Sequence, residues 1–249
     1  MNILAIIPAR MGSSRFPGKP MAKILGRPMI GHVYENVKKC KLLTKVIVAT
    51  CDTEIAEYIQ SINGQAIMTS DQHERASDRC AEALLKLEEL DKIKYDIIVM
   101  VQGDEPMTQA EMITEAVLPM MTDSTIKVTN LMGQISTSEE FNDRNCIKVV
   151  CDTALNAIYF SREPIPTTIR VKNVNRRKQV CVIPFKRDFL IEYTKMAPTD
   201  LEIVESIDML RVLENGYKVR MVPTHHSSFS VDTEQDLKRV EEIMKGVSN

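Results

Sequence analysis

Ile3-Leu4-Ala5-Ile6-Ile7-Pro8-Ala9-Arg10-Met11-Gly12-Ser13-Ser14-Arg15-Phe16-Pro17-Gly18-Lys19-Pro20 joins an apolar run directly to a cationic loop. The run Ile3 to Ile7 is short, rich in β-branched residues and stopped by Pro8, the pattern of a strand buried on both faces. Ala9 to Pro20 is rich in Gly, Ser and Pro and reads as a loop. Outward from it, Met29, Ile30, Val33, Tyr34 and Val37 recur at helical spacing, and Lys45 to Thr50 is a second short apolar run. The unit β-loop-α-β then repeats. Ile55 to Ile62 reads as helix, Ala66 to Thr69 as strand, Ala76 to Leu90 as amphipathic helix and Ile97 to Val101 as a third buried strand. Such alternation implies an α/β fold, a mostly parallel sheet with helices on both faces. Ligands bind such sheets outside the carboxyl ends of the strands, so the loops after Ile7, Thr50 and Val101 are expected to carry the site.

Beyond Pro119 the rhythm loosens. Strands are expected at Lys127 to Met132, Ile147 to Cys151, Ala157 to Phe160, Val180 to Phe185 and Val219 to Val222, with helices at Asp188 to Thr194, Glu202 to Asn215 and Thr233 to Lys245. The stretch 164–177, with two Pro and several basic residues, reads as a mobile loop. With 249 residues, one domain is expected: a nucleotide-binding part over about 1–120, an acceptor and dimerisation part over about 121–222, and a closing segment over about 223–249.

A net charge of -2, from 32 basic and 34 acidic groups, gives no field to attract a long polyanion, and six Tyr and six Phe form no stacking stripe, so no nucleic-acid partner is expected. No apolar run is long enough to span a membrane and the start lacks a signal-peptide pattern, which together point to a cytoplasmic protein without membrane insertion. The six cysteines are scattered without a C-x-x-C pair and read as buried thiols, and His225-His226 reads as surface loop.

Arg10, Arg15 and Lys19 fall within ten residues of a loop whose Gly and Ser let backbone N–H groups approach an anion. A triphosphate calls for this mixture, Arg for paired contacts to phosphate oxygens and Lys as a compact charge near the reacting phosphorus. A solvated basic turn is the competing reading. The loop is neither a P-loop nor a dinucleotide fingerprint, since Gly12 to Gly18 has the wrong interval and Pro20 follows Lys19. Asp104, in Val101-Gln102-Gly103-Asp104-Glu105-Pro106, ends the third buried strand, where a carboxylate can hold Mg²⁺ beside substrate phosphates; capping a following helix is the alternative. Asp232, in Ser230-Val231-Asp232-Thr233, reads by itself as the N-cap of the last helix.

With these residues in place, the chain resembles the 3-deoxy-manno-octulosonate (Kdo) cytidylyltransferases. The resemblance rests on ordered blocks along nearly the whole sequence: IIPARMGSSRFPGKP, GRPMI, VIVAT followed by Asp52, MVQGDEPM, IKVVCD, AIYFSR, MLRVLENGYKV and VDTEQDL. It implies a Rossmann-like, glycosyltransferase-A-like nucleotidyltransferase fold with a small dimerisation lobe, a homodimer, CTP as donor and an acidic sugar as acceptor. It further implies Mg²⁺ on Asp104 and Asp232, and a catalytic group of Lys19, Arg10, Asp104 and Asp232. The nucleotide side would comprise Pro8, Ala9, Arg10, Gly12, Ser13, Arg15, Lys19, Thr50, Asp52, His73, Arg75, Ser77, Arg79 and Gln102. Gln102 also falls on the acceptor side, with Arg162, Gln179, Ile183, Asp208 and Met209.

The sequence departs from that family's pattern in two places. The loop His-x-Ser-Gly-Thr-x-Arg reads His73-Glu74-Arg75-Ala76-Ser77-Asp78-Arg79, so Ala76 replaces a glycine and Arg75 adds a cation. In the acceptor region, Gln179 and Ile183 stand where the family has His and Tyr, and Asp208-Met209 where it has Glu-Gln. Losing hydrogen-bonding groups changes which hydroxyls a pocket accepts. The acceptor is therefore open among Kdo, another ulosonic acid, an amino-modified Kdo and a small phosphorylated or phosphonate compound. An inactive nucleotide-binding regulator is the alternative of a different class.

Overall fold

The first strand, β1 (Ile3–Ala9), is buried at every position and so belongs in the middle of a sheet. A computed structural model describes residues 1–13, 15–171 and 174–247; Ser14 of the basic loop and residues 172–173 of the stretch 164–177 lie outside the described residues. The chain forms two compact units, Met1–Thr114 with Ser227–Asn249, and Glu115–His226.

In the first unit, β1 leads through the basic loop and a 3-10 turn (Lys19–Met21) to the short strands β2 (Lys23–Ile24) and β3 (Arg27–Pro28), then α1 (Met29–Lys38). β4 (Lys45–Thr50), α2 (Thr53–Ser61), β5 (Ala66–Met68), α3 (Ala76–Asp91) and β6 (Ile97–Val101) follow. The strands lie in the order β6-β1-β4-β5, and each neighbouring pair is parallel. From β1 the chain moves outward to β4 and β5, then returns to the other side of β1 with β6. Right-handed crossovers therefore put α3 on the face opposite α1 and α2. The reversal makes the gap between the carboxyl ends of β1 and β6 the topological switch point, where such sheets bind ligands.

β1 does not stop at Pro8 as expected but runs through it to Ala9, with Pro8 in register with Ala49 and Ala9 with Thr50. The main-chain groups of Asn2 face the β6 side, donated to by Asp96 and Ile97, so by alternation Pro8 also faces β6. The β6 ladder has already ended at Ile6 and Met100, so the missing proline N–H is not needed. Gly103, just beyond β6, fits the same crowding: a Cβ there would lie 2.9 Å from the Pro8 carbonyl oxygen.

α4 (Ala110–Thr122) leads into the second unit, with β7 (Thr129–Gln134), α5 (Ser138–Asn142), β8 (Lys148–Cys151), β9 (Ala157–Ser161), β10 (Arg177–Val180), β11 (Val182–Lys186), α6 (Arg187–Tyr193), α7 (Asp200–Glu205), α8 (Asp208–Glu214) and β12 (Arg220–Pro223). Its sheet runs β12-β7-β10-β8-β9; β12 is parallel to β7 and the remaining pairs are antiparallel. Apart from the pairing of β12 with β7, parallel pairing thus belongs to the first unit. α9 (Glu234–Val247) returns the chain to that unit.

Two expected elements are each split. The strand expected at Val180 to Phe185 divides at Cys181 into β10 and β11. Val180 faces Leu131 while Phe185 faces Val128, five residues on one side against three on the other, and the Asn130 side-chain amide donates to the Val180 carbonyl at 2.7 Å. The helix expected at Glu202 to Asn215 breaks at Ser206, whose φ of 53° is left-handed. The break lets buried Glu202 take the Arg211 guanidinium at 2.6 and 2.7 Å. In an unbroken helix nine residues would separate them by about 13.5 Å along the axis.

Candidate active site

Lys19 begins the 3-10 turn after the basic loop, and the loop closes on itself through the Gly18 N–H donating to the Met11 carbonyl at 3.0 Å. Gly18 has φ 73°, a conformation that a side chain resists. The Met11 N–H donates to the Asp52 carboxylate at 2.8 Å, and the Asp52 N–H donates to the Thr50 hydroxyl at 3.1 Å. The loop after β4 therefore anchors the loop after β1. Asp52, expected on the nucleotide side, acts here on the loop main chain.

The Lys19 ammonium donates to Asp104 Oδ2 at 2.7 Å and to Asp232 Oδ1 at 3.3 Å, and Arg15 Nη2 donates to the same Asp232 oxygen at 3.0 Å. All four side chains belong to the first unit. Burial by itself would lower the Lys19 pKa, but the charges and hydrogen bonds of Asp104 and Asp232 outweigh it and raise the value above that of an ordinary lysine. Neither aspartate is a helix cap. α4 begins only at Ala110, beyond Asp104. Ahead of α9, Asp236 accepts the N–H groups of Asp232 and Thr233 at 3.1 and 2.8 Å, while the Asp236 N–H donates to the Thr233 hydroxyl at 3.2 Å. Thr233 and Asp236 thus do the capping, and the Asp232 carboxylate is left to face the cations.

Arg10 is exposed and donates to the His73 carbonyl at 3.3 Å, tying the basic loop to the loop before α3. The His73 ring pairs with Glu82, which also accepts the Ser70 N–H at 3.0 Å and Lys86 at 2.7 Å. Glu82 was absent from the expected residues, as nothing in its spacing from His73 points to it. Arg75 stands at the N-cap position of α3, Ser77 is buried in its first turn, and Arg79, 2% exposed, donates through Nη1 to the Thr69 hydroxyl at 2.5 Å and the Ser70 carbonyl at 3.2 Å. Among the described residues Arg79 Nη2 is buried without a hydrogen-bond partner, a donor that gains from an arriving acceptor. Pro8, Ala9 and Thr50 are buried at the strand ends, the space around Gly12 is open, the Ser13 hydroxyl accepts the Phe16 N–H at 3.3 Å, and Gln102 is half-buried after β6.

The expected acceptor residues other than Gln102 belong to the second unit. Gln179, on β10, donates its amide to Asn130 Oδ1 at 2.6 Å, and Asp208 begins α8. Ile183 and Met209 are core side chains, 3% and 0% exposed. Arg162 is a clamp: Nε donates to the Glu205 carbonyl at 2.6 Å, Nη1 to the Arg144 carbonyl at 3.0 Å and Nη2 to the Ser206 carbonyl at 3.2 Å. Nothing in its sequence context distinguished this structural use from a ligand contact.

Among the described residues no group of three or more His, Cys, Asp or Glu is gathered to hold a metal ion unaided. Asp104 and Asp232 are nonetheless close enough to share one ammonium, and hence one cation. Two carboxylates completed by substrate phosphates are the donor set that Mg²⁺ accepts. No helix among the described residues is long and apolar enough to cross a membrane.

The cytidylyltransferase family profile matches residues 4–221. A 3-deoxy-manno-octulosonate cytidylyltransferase of Geobacter metallireducens is 43% identical over 97% of this chain and 97% of its own length, and one of Geotalea uraniireducens is 43% identical over 98% and 100%. A solved structure of CMP:2-keto-3-deoxy-manno-octonic acid synthetase complexed with CTP superposes with a TM-score of 0.89 at 34% identity, covering 99% of each chain. A basic loop and two aspartates meeting at the switch point of a nucleotidyltransferase fold, together with similarity over nearly the full length, place the chain in the cytidylyltransferase family.

Proposed function

We propose that this chain transfers CMP from CTP to 3-deoxy-manno-octulosonate, releasing pyrophosphate, with Mg²⁺ held by Asp104 and Asp232. The observation that carries this reading is the convergence of Lys19, Arg15, Asp104 and Asp232, drawn from three separate stretches of sequence, on one point. In the reaction an acceptor hydroxyl oxygen bonds to the α-phosphorus, the bond from that phosphorus to the β-phosphate oxygen breaks, and the hydroxyl proton is lost. Arg10, Arg15 and Lys19 bind the triphosphate and offset the charge that grows on the departing pyrophosphate. Lys19, bonded here to both carboxylates, would offer its compact charge to the phosphates when Asp104 and Asp232 hold a cation. When bound, Mg²⁺ draws charge from the phosphate oxygens and favours loss of a hydroxyl proton beside it. Asp52 keeps the loop main chain in position, so little ordering is left for the bound state. The unpartnered Arg79 Nη2 supplies a donor for a base carbonyl.

Exposed Ile158 and the exposed Leu201, Ile203 and Val204 of α7 support a homodimer through the second unit. The protein acts in the cytoplasm. The changes at Gln179 and Asp208 favour, as a second reading, a Kdo variant bearing an amino group or another ulosonic acid.

Pyrophosphate release with each nucleoside triphosphate and a panel of acidic sugars tests the proposal. The expected outcome is turnover with CTP and Kdo that needs a divalent ion and falls at least about 100-fold in Asp104→Ala. Silence with CTP and every ulosonic acid would overturn it.

A further inference from the structure

Asp232 must stand beside Asp104, yet the segment that carries it, residues 227–232, forms neither helix nor strand. No ladder fixes its position. Two bonds to the Asp104 loop do so instead. The Val231 N–H donates to the Asp104 carbonyl at 2.9 Å, and the Ser228 hydroxyl donates to the Glu105 carboxylate. Glu105 is 4% exposed and Ser228 6%, so this second bond is inside the protein. The Asp104 loop is itself braced by hydrogen bonds. The Thr108 hydroxyl donates to the Glu105 carbonyl at 2.9 Å, and the Asn36 amide to the Pro106 carbonyl at 3.0 Å. Beneath lies a small apolar cluster of Ile24, Met29, Val231 and Val240, with Phe16, Met107, Phe229 and Leu237 packed against it. It joins the segments that carry Lys19, Asp104 and Asp232.

We propose that Glu105 and Ser228 are positioning residues: their buried bond holds the Asp232 segment against the Asp104 loop and so sets the spacing at which the two carboxylates take up a CTP-bound divalent ion. The inference rests on the function proposed above. Glu105, bonded to Ser228, acts through Asp104, its neighbour in the chain.

The test uses the full chain with CTP and no acceptor, and reads Mn²⁺ binding by electron paramagnetic resonance. Ser228→Ala and Glu105→Ala are expected to weaken Mn²⁺ binding by about 10-fold, the low end for partners that orient metal ligands. Glu105→Gln, whose amide oxygen still accepts the Ser228 hydroxyl, stays close to the wild type. CTP affinity measured without metal is unchanged in all three. Wild-type Mn²⁺ affinity in Ser228→Ala, with or without a lower melting temperature, overturns the proposal, because a merely structural bond would move stability alone. Should Ser228→Ala fail to fold, Ser228→Cys weakens the same bond and gives the same readout. If the wild type binds no Mn²⁺ with CTP, the proposed function fails and the positioning role with it; if the wild type binds and the variants match it, only the positioning role falls.

Discussion

At position 19 a lysine suits its place better than an arginine would. Its ammonium is a point charge with three donors and can sit between two carboxylates that approach from different directions, whereas a planar guanidinium matches one carboxylate at a time. Glu82 presents the reverse balance of forces. Partial burial would raise its pKa, but Lys86, the Ser70 N–H and His73 hold the carboxyl down at about 2. A folded value below the unfolded one stabilises the fold while the group is ionised in both states, so Glu82 contributes fully above its ordinary 4.5 and loses that contribution as pH falls toward about 2. The melting temperature of wild type should exceed that of Glu82→Gln near about pH 6, and the gap should close as the pH is lowered through this window. A gap constant across it would show that the carboxyl is not depressed.

Among the elements, α7 and α8 show how a buried pair dictates local structure. Arg211 and Glu202 are almost wholly buried, and the two-oxygen contact leaves each with its charge matched. Glu202→Ala strands the guanidinium and should lower stability by about 3–5 kcal/mol, whereas Glu202→Met with Arg211→Leu should lose much less; chemical denaturation of both variants measures the difference. Helical periodicity runs through residues 202–215 without a gap, and so hides the turn at Ser206 that this pair requires. Cys181 is hidden likewise, because both sides of the break are apolar and only the side-chain amide of Asn130 marks it. The strands of the first sheet, β1, β4 and β6, were legible as short apolar runs because both their faces are covered. Only the end of β1 was misjudged, since whether a proline stops a strand depends on whether a neighbour wants its donor.

For the molecule as a whole, the first unit is made from both ends of the chain, with the second unit lying between them in sequence. Lys19 and Asp104 could be picked out from their places after β1 and β6. Asp232 could not, because its partners are more than a hundred residues away and only the likeness to a family singled it out. Glu105 and Ser228 had no signal at all, since a buried bond between distant residues leaves no period or motif. Removing the chain beyond His226 withdraws fully buried Val231 and Val240 from the apolar cluster, each worth about 1.5–3 kcal/mol. The shortened protein should therefore melt earlier and should bind CTP without turning it over, which calorimetry and pyrophosphate release would check. Because Asp232 follows Lys19 by 213 residues, a growing polypeptide on the ribosome carries the basic loop long before it carries both aspartates, and on the function proposed above it gains the power to consume nucleotide only once Asp232 has been added.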